Sequence, residues 1–338
     1  MSVPAVPVPP SPRPLVDPFS RTVRDLRISL TDRCNLRCIY CMPAEGLTWL
    51  PRAEVLTYEE LARVARVCVE RFSFDGIRLT GGEPTMRADL PRLVEMLAPL
   101  GVDLSMTTNG LSLPLLAEEL HAAGLRSINI SLDSLRPERF AEITRRDQLP
   151  AVLAGIDAAL AAGFDPVKVN CVLVRGVNDD EIVDLARFGR ERGVVVRLIE
   201  FMPLDADGSW TGQSVVTAEE VVAAIDAEYP LEPVALRGAQ PAERYRYRDG
   251  RGEIGVIASV TRNFCSGCDR VRLTAEGKFR NCLFAVRETD LRAVLRGGGT
   301  DDDVAAAIEA DVGTKWSGHS IGQVSFVRPS RSMSQIGG

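Results

Sequence analysis

LRISLTDRCNLRCIYCMP, residues 26–43, opens as a β-run and then places Cys34, Cys38 and Cys41 in a CxxxCxxC loop. LRISLT (26–31) is the first of six short β-rich segments; GIRLTG (76–81), VDLSMTT (102–108), SINISLD (127–133), PVKVNCVLV (166–174) and VVVRLIEFM (194–202) follow. Between them TYEELARVARVCVERF, ADLPRLVEMLA, LPLLAEELHAAG, AVLAGIDAALAAG and DDEIVDLARFGRERG keep apolar residues at i, i+3 and i+4, the spacing of amphipathic helices. TAEEVVAAIDAEY (217–229) adds a sixth. Such alternation predicts βαβ units and an α/β fold with a parallel sheet. Six units suit either an open doubly wound sheet or a partial barrel. The cysteine loop follows the first strand, at the sheet end where α/β proteins build their sites.

Residues 20–231 hold this pattern. Residues 1–19 carry seven prolines and are expected to form a disordered, proline-rich arm. Over 232–338 the rhythm changes: Asp249-Gly250 and Glu276-Gly277 each sit between β-runs as hairpin turns. Two short helical stretches and a terminal Gly337-Gly338 follow, so this part reads as a smaller β-rich C-terminal extension. A chain of 338 residues can bury a large core without staples. Its 45% apolar and 25% charged residues exclude a fibrous or disordered chain. Lys+Arg 40 against Asp+Glu 46, net −6, argues against a nucleic-acid partner; any nucleotide site must come from a local cluster of basic residues. No apolar run approaches the ~18 residues of a membrane span, and proline interrupts the N-terminus too often for a signal peptide. A cytoplasmic protein is expected, its eight cysteines reduced and suited to metal or redox chemistry.

Three thiolates from one short loop cannot complete a tetrahedral zinc site. They can hold three corners of a cubane iron–sulfur cluster whose fourth iron stays open. Cys265, Cys268 and Cys282 form a second triplet, CxxC-x13-C: half a zinc ribbon with His319 in reach, or a second three-thiolate cluster. Arg270 and Arg272 follow at once and would share one face of a strand, where two guanidiniums suit a polyphosphate. A solvated charged strand is the alternative. Cys68 and Cys171 read as core thiols.

CNLRCIYC after the first strand, with Gly81-Gly82-Glu83-Pro84 after the second, resembles the radical S-adenosylmethionine (radical SAM) superfamily. The resemblance implies a partial (β/α)6 barrel of TIM type, and a 4Fe–4S cluster whose open iron chelates SAM. RLTGGEP, TTNG, SLDS, KVNCVL, IEFMP, NFCSGCDRVRLT, Cys282 and the terminal double glycine are similar, in order, to the GTP 3′,8-cyclase family of molybdenum cofactor biosynthesis. That resemblance implies a lyase converting GTP to 3′,8-cyclo-7,8-dihydro-GTP through a 5′-deoxyadenosyl radical. Cys34, Cys38 and Cys41 would hold the SAM cluster; Tyr40, Gly82, Ser131 and Met202 would line the SAM site. Cys265, Cys268 and Cys282 would hold an auxiliary 4Fe–4S cluster. Arg27, Arg78, Thr107, Lys168, Arg270 and Arg272 would contact GTP, with Thr108 the alternative to Thr107 because adjacent strand residues face opposite ways. Arg270, Arg272, Gly337 and Gly338 would act in catalysis, the two glycines reaching into the active site. The resemblance further implies a small electron-donor protein and a downstream cyclic pyranopterin synthase as partners, and it leaves room for a homodimer.

Overall fold

Strict alternation of polar and apolar residues along the strands builds the fold of the computed structural model, which describes residues 12–234, 238–323 and 326–337. A small antiparallel pair, β1 (Leu15–Val16) and β2 (Thr22–Val23), precedes a twelve-stranded sheet. Its central strands β3 (Asp25–Ser29), β4 (Gly76–Thr80), β5 (Asp103–Thr108), β6 (Ser127–Ser131), β7 (Val167–Leu173) and β8 (Val195–Glu200) lie side by side in chain order, all parallel. Helices α1 (Tyr58–Phe72), α2 (Leu90–Leu97), α3 (Leu113–Ala123), α4 (Pro137–Thr144), α5 (Leu149–Ala161) and α6 (Ile182–Arg192) make the crossovers, and α7 (Ala218–Glu228) follows β8. This is the partial barrel.

Successive side chains of a strand point to opposite faces. Leu26 and Ile28, Ile77 and Leu79, Ile128 and Ile130, Val196 and Leu198 therefore enter the buried apolar core under the helices. Their neighbours Arg27, Arg78, Asn129 and Arg197 take the concave face. The helices start where the sequence caps them: Thr57 with Glu60, and Thr217 with Glu220, form capping boxes for α1 and α7, satisfying amides that would otherwise be orphaned.

The C-terminal extension joins the same sheet at both edges. β9 (Leu231–Pro233), β10 (Glu243–Tyr247) and β11 (Glu253–Ile257) extend it beyond β8, with β11 parallel to β8. β12 (Arg270–Leu273), β13 (Lys278–Arg280) and β14 (Thr289–Asp290) extend it beyond β3, with β12 parallel to β3. Residues 258–269, with Cys265 and Cys268, must therefore cross from one edge of the curved sheet to the other. The chain continues through α8 (Leu291–Arg296), α9 (Asp301–Val312) and a one-turn α10 (Met333–Ile336).

Three expectations change. The arm expected over 1–19 is ordered from residue 12 onward, because Leu15 is buried against the core and Asp17 pairs with Arg21 at 2.5 Å; residues 1–11 lie outside the described residues. The sixth β-run ends at Glu200, so Met202 stands beyond the strand end. Helix α4 was not expected, since PERFAEIT offers two turns and no N-terminal side-chain cap. Among the described residues no helix is long and apolar enough to cross a membrane.

Glu200, 2% exposed, holds the crossing segment in place. Its carboxylate accepts from Val260 N at 2.7 Å, Thr261 N at 2.8 Å and Ala218 N at 3.1 Å, and from the Thr261 hydroxyl. It thus ties the strand end, the N-terminus of α7 and the start of the 258–269 crossing together. Glu200→Gln replaces an acceptor by a donor facing these amides. It is expected to cost about 1.5–3 kcal/mol, read by calorimetry as a Tm several degrees lower; an unchanged Tm would remove Glu200 from this anchoring role.

Candidate active site

The first cysteine loop is held from below by the turn after β4. Gly82 N donates to Thr31 O and Glu83 N to Arg33 O, both at 2.7 Å. A Cβ on Gly82 would fall inside the Arg33 carbonyl, and one on Gly81 (φ +142) would lie 2.7 Å from Thr31 O; only glycine lets the backbones approach this closely. The buried Glu83 carboxylate accepts from Asn109 N at 2.6 Å and Thr108 Oγ1 at 2.7 Å, tying β4 to β5. Tyr40 donates its hydroxyl to Asp133 Oδ2 at 2.6 Å, and Val172 N donates to Asp133 Oδ1 at 2.9 Å. Burial pushes the Asp133 carboxyl up to about 6, opposed by those two hydrogen bonds. Cys34, Cys38 and Cys41 line a cavity of about 190 Å³ together with Tyr40, Gly82, Ser131 and Met202.

A second cavity, of about 160 Å³, is lined by Cys265, Cys268 and Cys282, and by Arg27, Arg78, Thr107, Arg197, Arg270 and Arg272. Thr107, Asn170, Ile199, Met202 and Met333 line both cavities, so the two thiol triplets share a wall. Thr107 lines both cavities, whereas Thr108 lines the first alone and donates its hydroxyl to Glu83. The cations stand in register, Arg272 opposite Arg27 and Arg27 opposite Arg78 on adjacent parallel strands. Burial, then Arg272 and Arg78, holds Arg27 well below the ordinary guanidinium range; burial and Arg270 bring Arg272 to about 10. The Nε of Arg27 and an Nη of Arg270 are buried without a hydrogen-bond partner, Arg27 Nε standing 3.8 Å from Asp25 Oδ1.

Arg197 was missed by sequence reasoning. It is 7% exposed, bonds Asn170 Oδ1 at 2.8 Å and Asn129, and is lowered to about 9 by burial and Arg78. An arginine in the middle of an apolar β-run was its signal. Lys168 lies apart from the thiols, in a recess of about 500 Å³ that shares Arg27, Arg78, Arg197 and Arg270 with the second cavity. Arg21 was also missed: it donates to Cys265 O at 2.6 Å and Ser317 O at 2.8 Å.

The C-terminal tail enters the barrel. Arg272 donates to the carbonyl of Gly337, whose φ is +73 and whose Cβ, if it had one, would lie 2.7 Å from Ser29 Oγ. The hydroxyls of Ser29 and Thr80 beside it are buried without partners. Gly338 lies outside the described residues.

The donor sets fit iron–sulfur clusters. Burial pushes Cys34 up to about 11 and Cys41 up to about 12, and Cys38 well above its ordinary value, so these thiols ionise when a metal displaces the proton. Burial would likewise raise Cys268, but Arg270 and Lys315 bring it down to about 7. Backbone amides point at sulfur in both triplets, Leu36 N to Cys34 Sγ and Phe284 N to Cys282 Sγ, each at 3.4 Å. A structural zinc site wants four ligands at ~2.3 Å or less, and each triplet supplies three. Three thiols set around a cavity suit the wider corners of a cluster. His319 lines the second cavity, packed edge-on to Phe284 at 5.0 Å.

Residues 28–189 match the Radical SAM superfamily and residues 194–321 match Molybdenum Cofactor Synthesis C. The chain is 49% identical over 336 residues to GTP 3′,8-cyclase of Mycolicibacterium smegmatis, covering 97% of this chain and 93% of that one. It is 47% identical over 328 residues to GTP 3′,8-cyclase of Streptomyces coelicolor, covering 96% of each. Among solved structures, Streptococcus suis SuiB aligns with TM-score 0.57 at 12% identity over 86% of this chain and 67% of that one. Methylornithine synthase (PylB) aligns with TM-score 0.52 at 18% identity over 85% of this chain and 86% of that one; these two likenesses speak to the barrel alone. With nearly half its residues shared along almost its whole length, the chain belongs to the GTP 3′,8-cyclase family of the radical SAM superfamily.

Proposed function

We propose that this chain converts GTP to 3′,8-cyclo-7,8-dihydro-GTP, an early step of molybdenum cofactor biosynthesis, using SAM and two 4Fe–4S clusters. The observation that carries the reading is the pair of three-thiol cavities sharing one wall, with a row of arginines on one side. Cys34, Cys38 and Cys41 would hold one cluster; Cys265, Cys268 and Cys282 would hold the other. A reduced cluster on Cys34, Cys38 and Cys41 would supply the electron for reductive cleavage of SAM, and with it the radical chemistry at C3′ of GTP.

The chain's own residues bind, orient and enclose. Arg27, Arg78, Arg197, Arg270 and Arg272 present fixed positive charge in a site with little water, where it acts most strongly on a triphosphate. Their mutual repulsion is relieved when the anion arrives. Lys168, at the outer recess, would meet the far end of the phosphate chain. Tyr40, fixed by Asp133, and Gly82 and Ser131 would bound the SAM side, with Met202 on the shared wall. Gly337, held on Arg272, would close the barrel beside the nucleotide, and Gly338 would act with it. Holding the ribose and the adenosyl carbon within reach is the protein's main contribution to such cofactor chemistry. A small electron-donor protein, the cyclic pyranopterin synthase that acts next, a homodimeric assembly and a cytoplasmic setting belong to the same proposal.

Anaerobic incubation of the cluster-loaded protein with SAM, GTP and dithionite is expected to yield 5′-deoxyadenosine and the cyclised nucleotide together, by mass spectrometry. Deoxyadenosine formed with GTP untouched would move the substrate elsewhere; none from a fully loaded protein would defeat the reading. Arg197→Ala removes a charged donor and is expected to lower kcat/KM for GTP ~10-fold or more, from the ~1.5–3 kcal/mol of such a bond; SAM affinity should hold. Lys168 is lowered to about 8 by burial, then by Arg197 and Arg78. Triphosphate favours its protonated form, so KM for GTP should rise as pH passes through about 8. Lys168→Arg should remove that rise; a wild-type KM flat from pH 7 to 9 would take Lys168 out of GTP binding.

A further inference from the structure

The two thiol triplets sit in opposite electrical surroundings. Beside the first, Glu83 accepts four hydrogen bonds, from Thr85 N, Thr85 Oγ1, Thr108 Oγ1 and Asn109 N, which oppose the upward push that burial gives its carboxyl. Asp133 accepts two more on the same cavity wall. Two cations stand outside that lining: Arg37, stacked on Trp49 with its Nη1 on Cys34 O at 2.6 Å, and Arg145, which donates to Met42 O at 3.0 Å and pairs with Asp207 at 3.1 Å.

Beside the second triplet the balance is reversed. Arg21 bonds Cys265 O, Arg270 and Arg272 line the cavity, and Lys315 lies behind them. Asp17 pairs with Arg21 at 2.5 Å and Asp269 with Arg270 at 3.9 Å. Lys315 has no such partner among the described residues. It is 3% exposed, and its Nζ donates to Arg270 O at 2.6 Å. The turn that carries it is fixed to the neighbourhood of Cys282, since Asn281 Nδ2 donates to Asp311 O at 2.7 Å and Thr314 Oγ1 at 3.1 Å. Burial lowers Lys315, opposed first by Cys268 and then by Cys282, and a buried ammonium needs a counter-charge.

We propose that Lys315, supported by Arg21, is the fixed counter-charge of the second cluster and sets its one-electron reduction potential above that of the first. The inference rests on the two-cluster reading above. The couple concerned is [4Fe–4S]2+ plus one electron giving [4Fe–4S]+; no bond breaks, no proton moves, and the electron comes from the external reductant. Positive charge and N–H donors near a cluster favour the more negative state, and carboxylates disfavour it. The first cluster is thereby kept the stronger reductant, as cleavage of SAM requires, and the second the better acceptor beside GTP.

The test is an anaerobic redox titration of the full-length, two-cluster protein followed by EPR, without SAM or GTP. The two signals are assigned with a Cys34→Ser/Cys38→Ser/Cys41→Ser variant that keeps only the second cluster. In the wild type the second midpoint should lie positive of the first. Lys315→Met should move the second midpoint negative and leave the first in place, and Lys315→Arg should restore it. A loaded Lys315→Met protein with an unmoved second midpoint overturns the proposal, as do two midpoints moving together. Should Lys315→Met fail to retain the second cluster, Arg21→Gln is expected to move the same midpoint in the same direction, and the wild-type order still decides: a first cluster positive of the second overturns the assignment. Iron and sulfide sufficient for only one cluster in the wild type would instead defeat the two-cluster reading itself.

Discussion

Three guanidiniums in register on adjacent strands dominate the energetics of this barrel. Arg272, Arg27 and Arg78 stand opposite one another across β12, β3 and β4, and like charges placed so are destabilising. Arg197, also buried, joins them from β8. The sheet tolerates this because the other face of the same strands is an unbroken apolar layer under the helices, whose burial offsets the strain. Alternation forces the two features together: Leu26 and Ile28 can be core only if Arg27 faces inward. Ground-state repulsion and affinity for an anion are then one property seen with and without the ligand.

Topology does the rest. Because β11 joins one edge of the sheet and β12 the other, the chain between them must span the open side of the partial barrel. Cys265 and Cys268 ride on that span, which is why the second triplet faces the cavity lined by the first. Such a span would be loose if left to itself. It is fixed at its start by the Glu200 carboxylate on Val260 and Thr261, and farther on by Arg21 on the Cys265 carbonyl. The β1–β2 pair thus belongs to the site, although it precedes the barrel in the chain.

Much of this was legible in the sequence because period two and period 3.6 are direct consequences of backbone geometry. The six central strands lie where alternation put them, with ends moved by a residue or two, as with β6 closing at Ser131 rather than Asp133. The thiols, Tyr40 and Gly82 carry local motifs, and local motifs need no knowledge of the fold. Arg197 and Lys315 carry none. Arg197 gains its setting only when β8 is placed beside β7 and β11, and Lys315 only when the turn after α9 is laid behind β12. Residues 12–19 looked like an arm because proline content describes chain stiffness, whereas the order there comes from Leu15 entering a core remote in sequence and from Asp17 pairing with Arg21 four residues on.

The C-terminal tail shows how little chain is needed to join two sites. Ser334 lies beside Cys41 and favours its thiolate, while Met333 lines both cavities and Gly337 places its carbonyl on Arg272. One helical turn therefore touches the first triplet, the shared wall and the cation row. It is seated from outside by Arg331, which bridges Glu276 at 2.6 Å and Glu288 at 2.5 Å, and by a capping box between Ser332 and Gln335. The glycine is a steric necessity at the innermost point, because a side chain there would meet the hydroxyls of Ser29 and Thr80. Those hydroxyls are themselves buried without partners, and unsatisfied polar groups at such a depth are retained where a ligand or the chain end completes them. The tail is thus part of the wall of the cavities, and its geometry depends on the same Arg272 that stands in the cation row.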